Sequence, residues 1–146
     1  LLFSSSVFAG DDLTGKKIYC ESEWVDSLKE EVNLLGFNFY STERVEIIKS
    51  KYSQFTKETT IDYGEYYLSD FFIYVELFMD IDRSNYYILN GPDHYDIHRR
   101  DLEIYYRTES IYPPETCGII EVEDLKSYIG SKFEEKISNI KSKNKI

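Results

Sequence analysis

Three features of the chain predict a mainly β fold, an antiparallel up-and-down β-barrel of eight or nine strands. Short alternating apolar runs are separated by turn residues, aromatic side chains are abundant, and two cysteines sit near the first and the last of those runs. A short segment after the first strand and a C-terminal amphipathic helix complete the expected architecture. The chain has 14 Tyr and 9 Phe against 3 Pro. Flat and β-branched side chains suit a pleated, half-buried surface better than a helix. At 146 residues the chain is long enough to bury about two thirds of its unfolded surface in one domain.

The first strand is Lys16-Lys17-Ile18-Tyr19-Cys20, entered through the turn at Leu13-Thr14-Gly15. In Ser22 to Gly36, Trp24, Leu28, Val32 and Leu35 recur at i, i+4, i+8 and i+11, which predicts a short helix packed under the barrel. Phe37 to Ser41 and Arg44 to Ser50 alternate on either side of a Thr42-Glu43 turn, a hairpin with Phe37, Phe39, Val45 and Ile47 facing in. A long strand from about Lys57 to Leu68 follows, with Gly64 where a barrel strand must bend. In Phe71 to Phe78 the inward set is Ile73, Val75 and Leu77, because the other register buries Glu76. Further strands are expected over Asn85–Asn90, His94–His98 and Leu102–Arg107, and a loop over Thr108–Thr116 leads to the last strand with Cys117. From about residue 123, Leu125, Tyr128, Ile129, Phe133, Ile137 and Ile140 fall on one face of a helix that ends in lysines.

Leu1 to Ala9 reads as the end of a secretory signal closing on Val7-x-Ala9, so the expected organisation is a signal remnant over 1–9 and one domain over 10–146. No apolar run approaches the ~20 residues needed to span a bilayer, and a soluble periplasmic or secreted product is expected. In such a compartment Cys20 and Cys117 are expected to pair, closing a loop of 96 intervening residues. The loop-entropy model assigns that closure about 4–5 kcal/mol as an upper figure.

The net charge of −10 repels phosphate backbones. Lys132, Lys136, Lys141, Lys143 and Lys145 against Glu134 and Glu135 make residues 130–146 basic, but on an acidic body this tail is no nucleic-acid stripe.

Four segments carry a resemblance: Leu13-Thr14-Gly15-Lys16, Gly36-Phe37-Asn38-Phe39, Gly64-Glu65-Tyr66-Tyr67, and the late hairpin from Tyr95 to Ile104. Through them the chain resembles the small bacterial lipocalin-like, calycin-type β-barrels over most of residues 12–122. The resemblance implies the architecture. Lipocalins carry Gly-x-Trp at the first strand, whereas here Gly15 is followed by Lys16 and Lys17, so no ligand-binding residue is carried over.

His94, Asp96 and His98 share one strand face, but the two imidazoles stand roughly 13 Å apart at strand rise, too far to chelate one ion, and the segment reads as an exposed hairpin. Asp80-x-Asp82-x-Ser84 resembles the start of a calcium loop whose sixth and twelfth positions, Asn85 and Gly91, lack the required Gly and Glu. There is no Gly-x-Ser-x-Gly and no Cys–His dyad. Neither an enzyme nor a cofactor or metal is expected. If Tyr63, Tyr67, Tyr86, Tyr95 and Tyr106 point inward they line a pocket with apolar walls and hydroxyl handles for one small amphipathic ligand; the alternative is an interior filled by rings. The leading expectation is therefore an exported ligand-binding barrel. The rival is a protein–protein interaction module of the cell envelope, an assembly factor or hydrolase inhibitor, with a filled interior.

Overall fold

A computed structural model describes residues 13–25, 30–78, 94–105 and 116–143. Among the described residues eight strands form one antiparallel sheet: β1 (Lys17–Val25), β2 (Glu30–Phe39), β3 (Arg44–Tyr52), β4 (Lys57–Leu68), β5 (Phe72–Leu77), β6 (His94–His98), β7 (Ile104–Tyr105) and β8 (Thr116–Ile119). A helix, α1 (Leu125–Lys143), follows β8. The order across the sheet is β7-β6-β5-β4-β3-β2-β1-β8, a meander whose last strand returns to the side of the first. There Cys20 lies directly opposite Cys117, and the two are joined in a disulfide with Cα atoms 4.0 Å apart. The amide of Ile120 donates to the Lys17 carbonyl. Counting back along the ladder, the cysteines occupy a non-hydrogen-bonded pair, the kind in which antiparallel backbones approach most closely.

The sheet is strongly curled. Phe37 on β2 and Tyr95 on β6 meet edge to face with ring centroids 5.3 Å apart, although four strand-to-strand steps of ~4.8 Å would separate them by about 19 Å in a flat sheet. Their inward neighbours Ile18, Leu35, Phe39, Val45, Ile73, Val75 and Ile97 form one core inside the curl. A second core lies on the outer face, where Leu125, Ile129, Phe133, Ile137 and Ile140 of α1 cover Val32, Leu34 and Ile48. Asp124 caps this helix, its carboxylate accepting from the Ser127 amide at 3.1 Å and the Ser127 hydroxyl at 2.8 Å. Those bonds hold the Asp124 carboxyl below its usual pKa.

The hairpin at 37–50, the strand at 57–68, the inward set of β5 and the helix over α1 stand where the sequence pattern puts them. One expectation is corrected. The described parts of the segment from Ser22 to Gly36 are strand and not helix: β1 runs to Val25 and β2 begins at Glu30, with Trp24 opposite Glu31 in the ladder. The physical reason is that β2 is buried on both faces, Val32 and Leu34 beneath α1 and Leu35, Phe37 and Phe39 in the interior, so its two-residue alternation merges into a run that imitates helical spacing. β1 and β8 are adjacent as expected, and among the described residues the sheet is a curled meander in which no ladder joins β7 to β8. The disulfide staples the returning strand to β1. The expected strand over Asn85–Asn90, the residues 1–9 and most of the loop over Thr108–Thr116 lie outside the described residues.

Candidate functional site

Of the five tyrosines expected to line a pocket, Tyr95 is inside, 2 % exposed. Tyr63 and Tyr67 are not: they are 48 % and 49 % exposed on the outer face of β4. Tyr86 and Tyr106 lie outside the described residues. The inward parity of β4 belongs to Gly64, Tyr66 and Leu68, which stand opposite Leu77, Val75 and Ile73 of β5. The sequence carries the signal for this register, since the alternative turns Glu65 into the core, the same argument that orients Glu76. Gly64 is required here because a Cβ would overlap the Glu76 carbonyl oxygen and stand 3.0 Å from the Leu77 Cα.

Rings occupy the interior. Phe39 meets Tyr66 edge to face at 4.8 Å, Phe37 meets Tyr95, and Phe37 and Phe39 stack at 6.4 Å. The Tyr66 hydroxyl donates to the Ser41 carbonyl at 2.8 Å and accepts the buried Leu13 amide at 3.2 Å. Its polar handle is thereby committed to the fold, tying the chain before β1 to the β2–β3 turn.

The outer face divides in two. Toward β1–β3 it is covered by α1; over β4, β5 and the end of β6 it carries two groups of aromatic rings. In one, Tyr63 meets Tyr40 at 6.5 Å, and the amide of Phe78 donates to the Tyr63 carbonyl. The Arg44 guanidinium lies 4.6 Å over the Phe78 ring. In the other, Tyr67 stacks on Tyr74 at 5.0 Å, Tyr74 adjoins Phe72, and Phe72 meets His98 edge to face at 5.3 Å. Between the groups runs a cross-strand row, Arg44, Glu65, Glu76 and His94, each directly opposite the next. Among the described residues no side chain bonds to Glu65 or Glu76. The Tyr63 hydroxyl donates to Glu46 at 3.3 Å, and the Glu46 charge raises the Tyr63 pKa.

Elsewhere, an open groove of about 450 Å³ is lined by Lys16, Lys17, Glu121 and Glu123 among others. Among the described residues no three His, Cys, Asp or Glu side chains converge as metal ligands, and no helix is long and apolar enough to cross a membrane. The His94–His98 strand presents Tyr95 and Ile97 inward and its two imidazoles outward. Comparison with protein-family models, with curated proteins and with solved structures finds no match.

Proposed function

We propose that this protein is a non-catalytic, exported protein–protein interaction module, a lipocalin-like barrel in general shape, that works through its outer wall and not through a ligand held inside. The observation that carries this reading is the contact between Phe37 and Tyr95 across the curl. A pocket for a drug-sized ligand needs ~300–1,000 Å³. At this level the space is taken by Phe37, Phe39, Tyr66 and Tyr95, each of them buried. Admitting a ligand means expelling close-packed rings, each of which contributes a large share of the core. Export is supported by the Cys20–Cys117 disulfide, a bond that persists in oxidising compartments.

The test is a titration of the oxidised full-length chain with laurate, followed by backbone amide chemical shifts. No saturable change at Phe37, Phe39, Tyr66 or Tyr95 is expected. Saturable shifts at those four positions would return the protein to the ligand-binding class.

A further inference from the structure

We infer that the groove at the seam of β1 and β8 receives the C-terminal end of a partner polypeptide, one that closes on an apolar residue and carries a lysine or arginine shortly before it. This rests on the protein-interaction reading and names its surface and the partner's chemistry.

The first observation is the charge that lines the groove. Lys16, Lys17, Glu121 and Glu123 share its walls, yet none of the four makes an ion pair among the described residues, with one another or with any other side chain. A ligand of a single sign would be repelled by half of that lining. One that carries a carboxylate and a cation a short way apart is complementary to all of it. Ile119, 37 % exposed, and Val122 add apolar surface to the same walls. The volume of about 450 Å³ falls in the ~300–1,000 Å³ range of pockets for small ligands, which limits the occupant to a few residues of chain.

Unused backbone is the second observation. The Ile120 amide makes the last bond to β1, donating to the Lys17 carbonyl. Glu121, Val122 and Glu123 then lie between β8 and α1 in neither element, and their backbone makes no hydrogen bond among the described residues. Three successive residues with free amides and carbonyls along a groove are what a length of peptide pairs with. The carboxylate of that peptide goes to the lysines and its cation to the glutamates. A chain end suits a groove of this size better than an internal segment, because its carboxylate sits on the backbone itself and has no side-chain freedom to lose. The upstream cation also offsets the long-range repulsion that a body of net charge −10 exerts on a carboxylate.

The probe is a fluorescein-labelled pentapeptide ending in lysine, alanine and leucine with a free carboxylate, measured by anisotropy against the oxidised full-length protein and mapped by amide shifts. Saturable shifts are expected at Lys16 to Ile18 and at Ile119 to Glu123. The same peptide with an amidated end is expected to bind roughly fivefold more weakly, which reads the lysine contact in the unaltered protein. Lys16→Met with Lys17→Met is expected to weaken the free-ended peptide by about the same factor. Lys141→Met with Lys143→Met removes the same charge about 24 Å or more along α1 from Leu125, and is expected to leave affinity within about twofold. Equal binding of the two peptides, or equal loss in the two double variants, would overturn the inference by reducing the binding to bulk charge. Shifts centred on β4 or β5, or no saturation at millimolar peptide, would remove the groove as the site. N-acetylleucine binding there as tightly as the peptide would overturn the inference in favour of a free small molecule. None of these results bears on the interior; only laurate shifts at Phe37 and Tyr95 would remove the underlying reading.

Discussion

Gly36 lies directly beneath Ile129, so close that a Cβ on the glycine would overlap the Ile129 Cδ1 and stand 3.0 Å from the Leu125 Cδ2. The missing side chain on β2 is what lets the first turns of α1 rest on the sheet. Because the opposing atoms are the ends of flexible side chains, Gly36→Ala is expected to be tolerated at a cost of about 1 kcal/mol. Gly36→Val, whose branches have no room to turn, is expected to cost about 1–3 kcal/mol. Urea unfolding measures both. Hydrogen exchange should show amides of α1 losing protection before those of β2 to β5 in the valine variant. Equal loss of protection across the sheet would mean that the glycine serves the strand and not the helix contact.

Tyr66 joins three parts of the chain through one oxygen, donating to the Ser41 carbonyl and accepting the Leu13 amide. Leu13 is fully buried, so removing the hydroxyl leaves an amide with no water to turn to. Tyr66→Phe is expected to destabilise by about 1–3 kcal/mol, more than the loss of an exposed tyrosine hydroxyl. Tyr67→Phe, on the outer face of the same strand, is the comparison and should stay within about 0.5 kcal/mol. Similar unfolding midpoints for the two variants would contradict the assignment of Tyr66 as an interior brace.

What was legible in the sequence depended on how many faces of each element are covered. In β5 and β6 one face meets the interior, so Ile73, Val75, Leu77, Tyr95 and Ile97 alternate cleanly with polar or aromatic neighbours. The stripe of α1 was equally plain, because Leu125 to Ile140 has one partner surface. β2 has two, and Val32, Leu34, Leu35 and Phe37 therefore put apolar side chains on both parities of the strand, so that the period of two is lost. At the candidate site the ambiguity was local. Tyr66 and Tyr67 are adjacent, either can be assigned inward by ring type, and the charge on Glu65 settles the choice. The opposition of Glu65 and Glu76 could not be seen before pairing was known, since it is set by the register between β4 and β5.

The disulfide ties β8 directly to β1, and it spans 97 positions of sequence. Replacing both cysteines by serine is expected to cost about 3–5 kcal/mol, most of it through the greater freedom of the unfolded chain. Part of the loss comes from placing a hydroxyl where Cys20 is fully buried. Separating the two contributions requires the doubly Ala-substituted chain, which should recover the polar part only. If reduction of the parent protein changes its unfolding free energy in urea by less than about 1 kcal/mol, the staple contributes little and the β1–β8 ladder holds itself.

Tyr19 sits under α1, its ring edge-on to Tyr128 at 5.2 Å and its hydroxyl donating to Glu21 at 2.8 Å. Glu21 in turn pairs with Lys136 at 3.5 Å, linking β1 to the helix. Burial first, and then the bond to Glu21 and its negative charge, push the Tyr19 pKa far above the usual tyrosine value near 10. A raised folded value means that the protonated phenol is favoured in the native state. Its contribution to stability is complete below the unfolded pKa of ~10 and declines as pH rises beyond it, because the unfolded chain then releases a proton that the folded chain keeps. Tyr19→Phe removes that linkage. At neutral pH the variant should be less stable by about 0.5–1.5 kcal/mol for the lost hydrogen bond. Above pH ~10 the gap should close by up to about 1.4 kcal/mol per pH unit. Ultraviolet titration of the phenolates in the parent should show one tyrosine that ionises only with cooperative unfolding and is missing from the variant. If the two stability curves run parallel through the alkaline range, the Tyr19 hydroxyl is reached by solvent in the native state, and the β1–Glu21–Lys136 link is not the one that seats the helix.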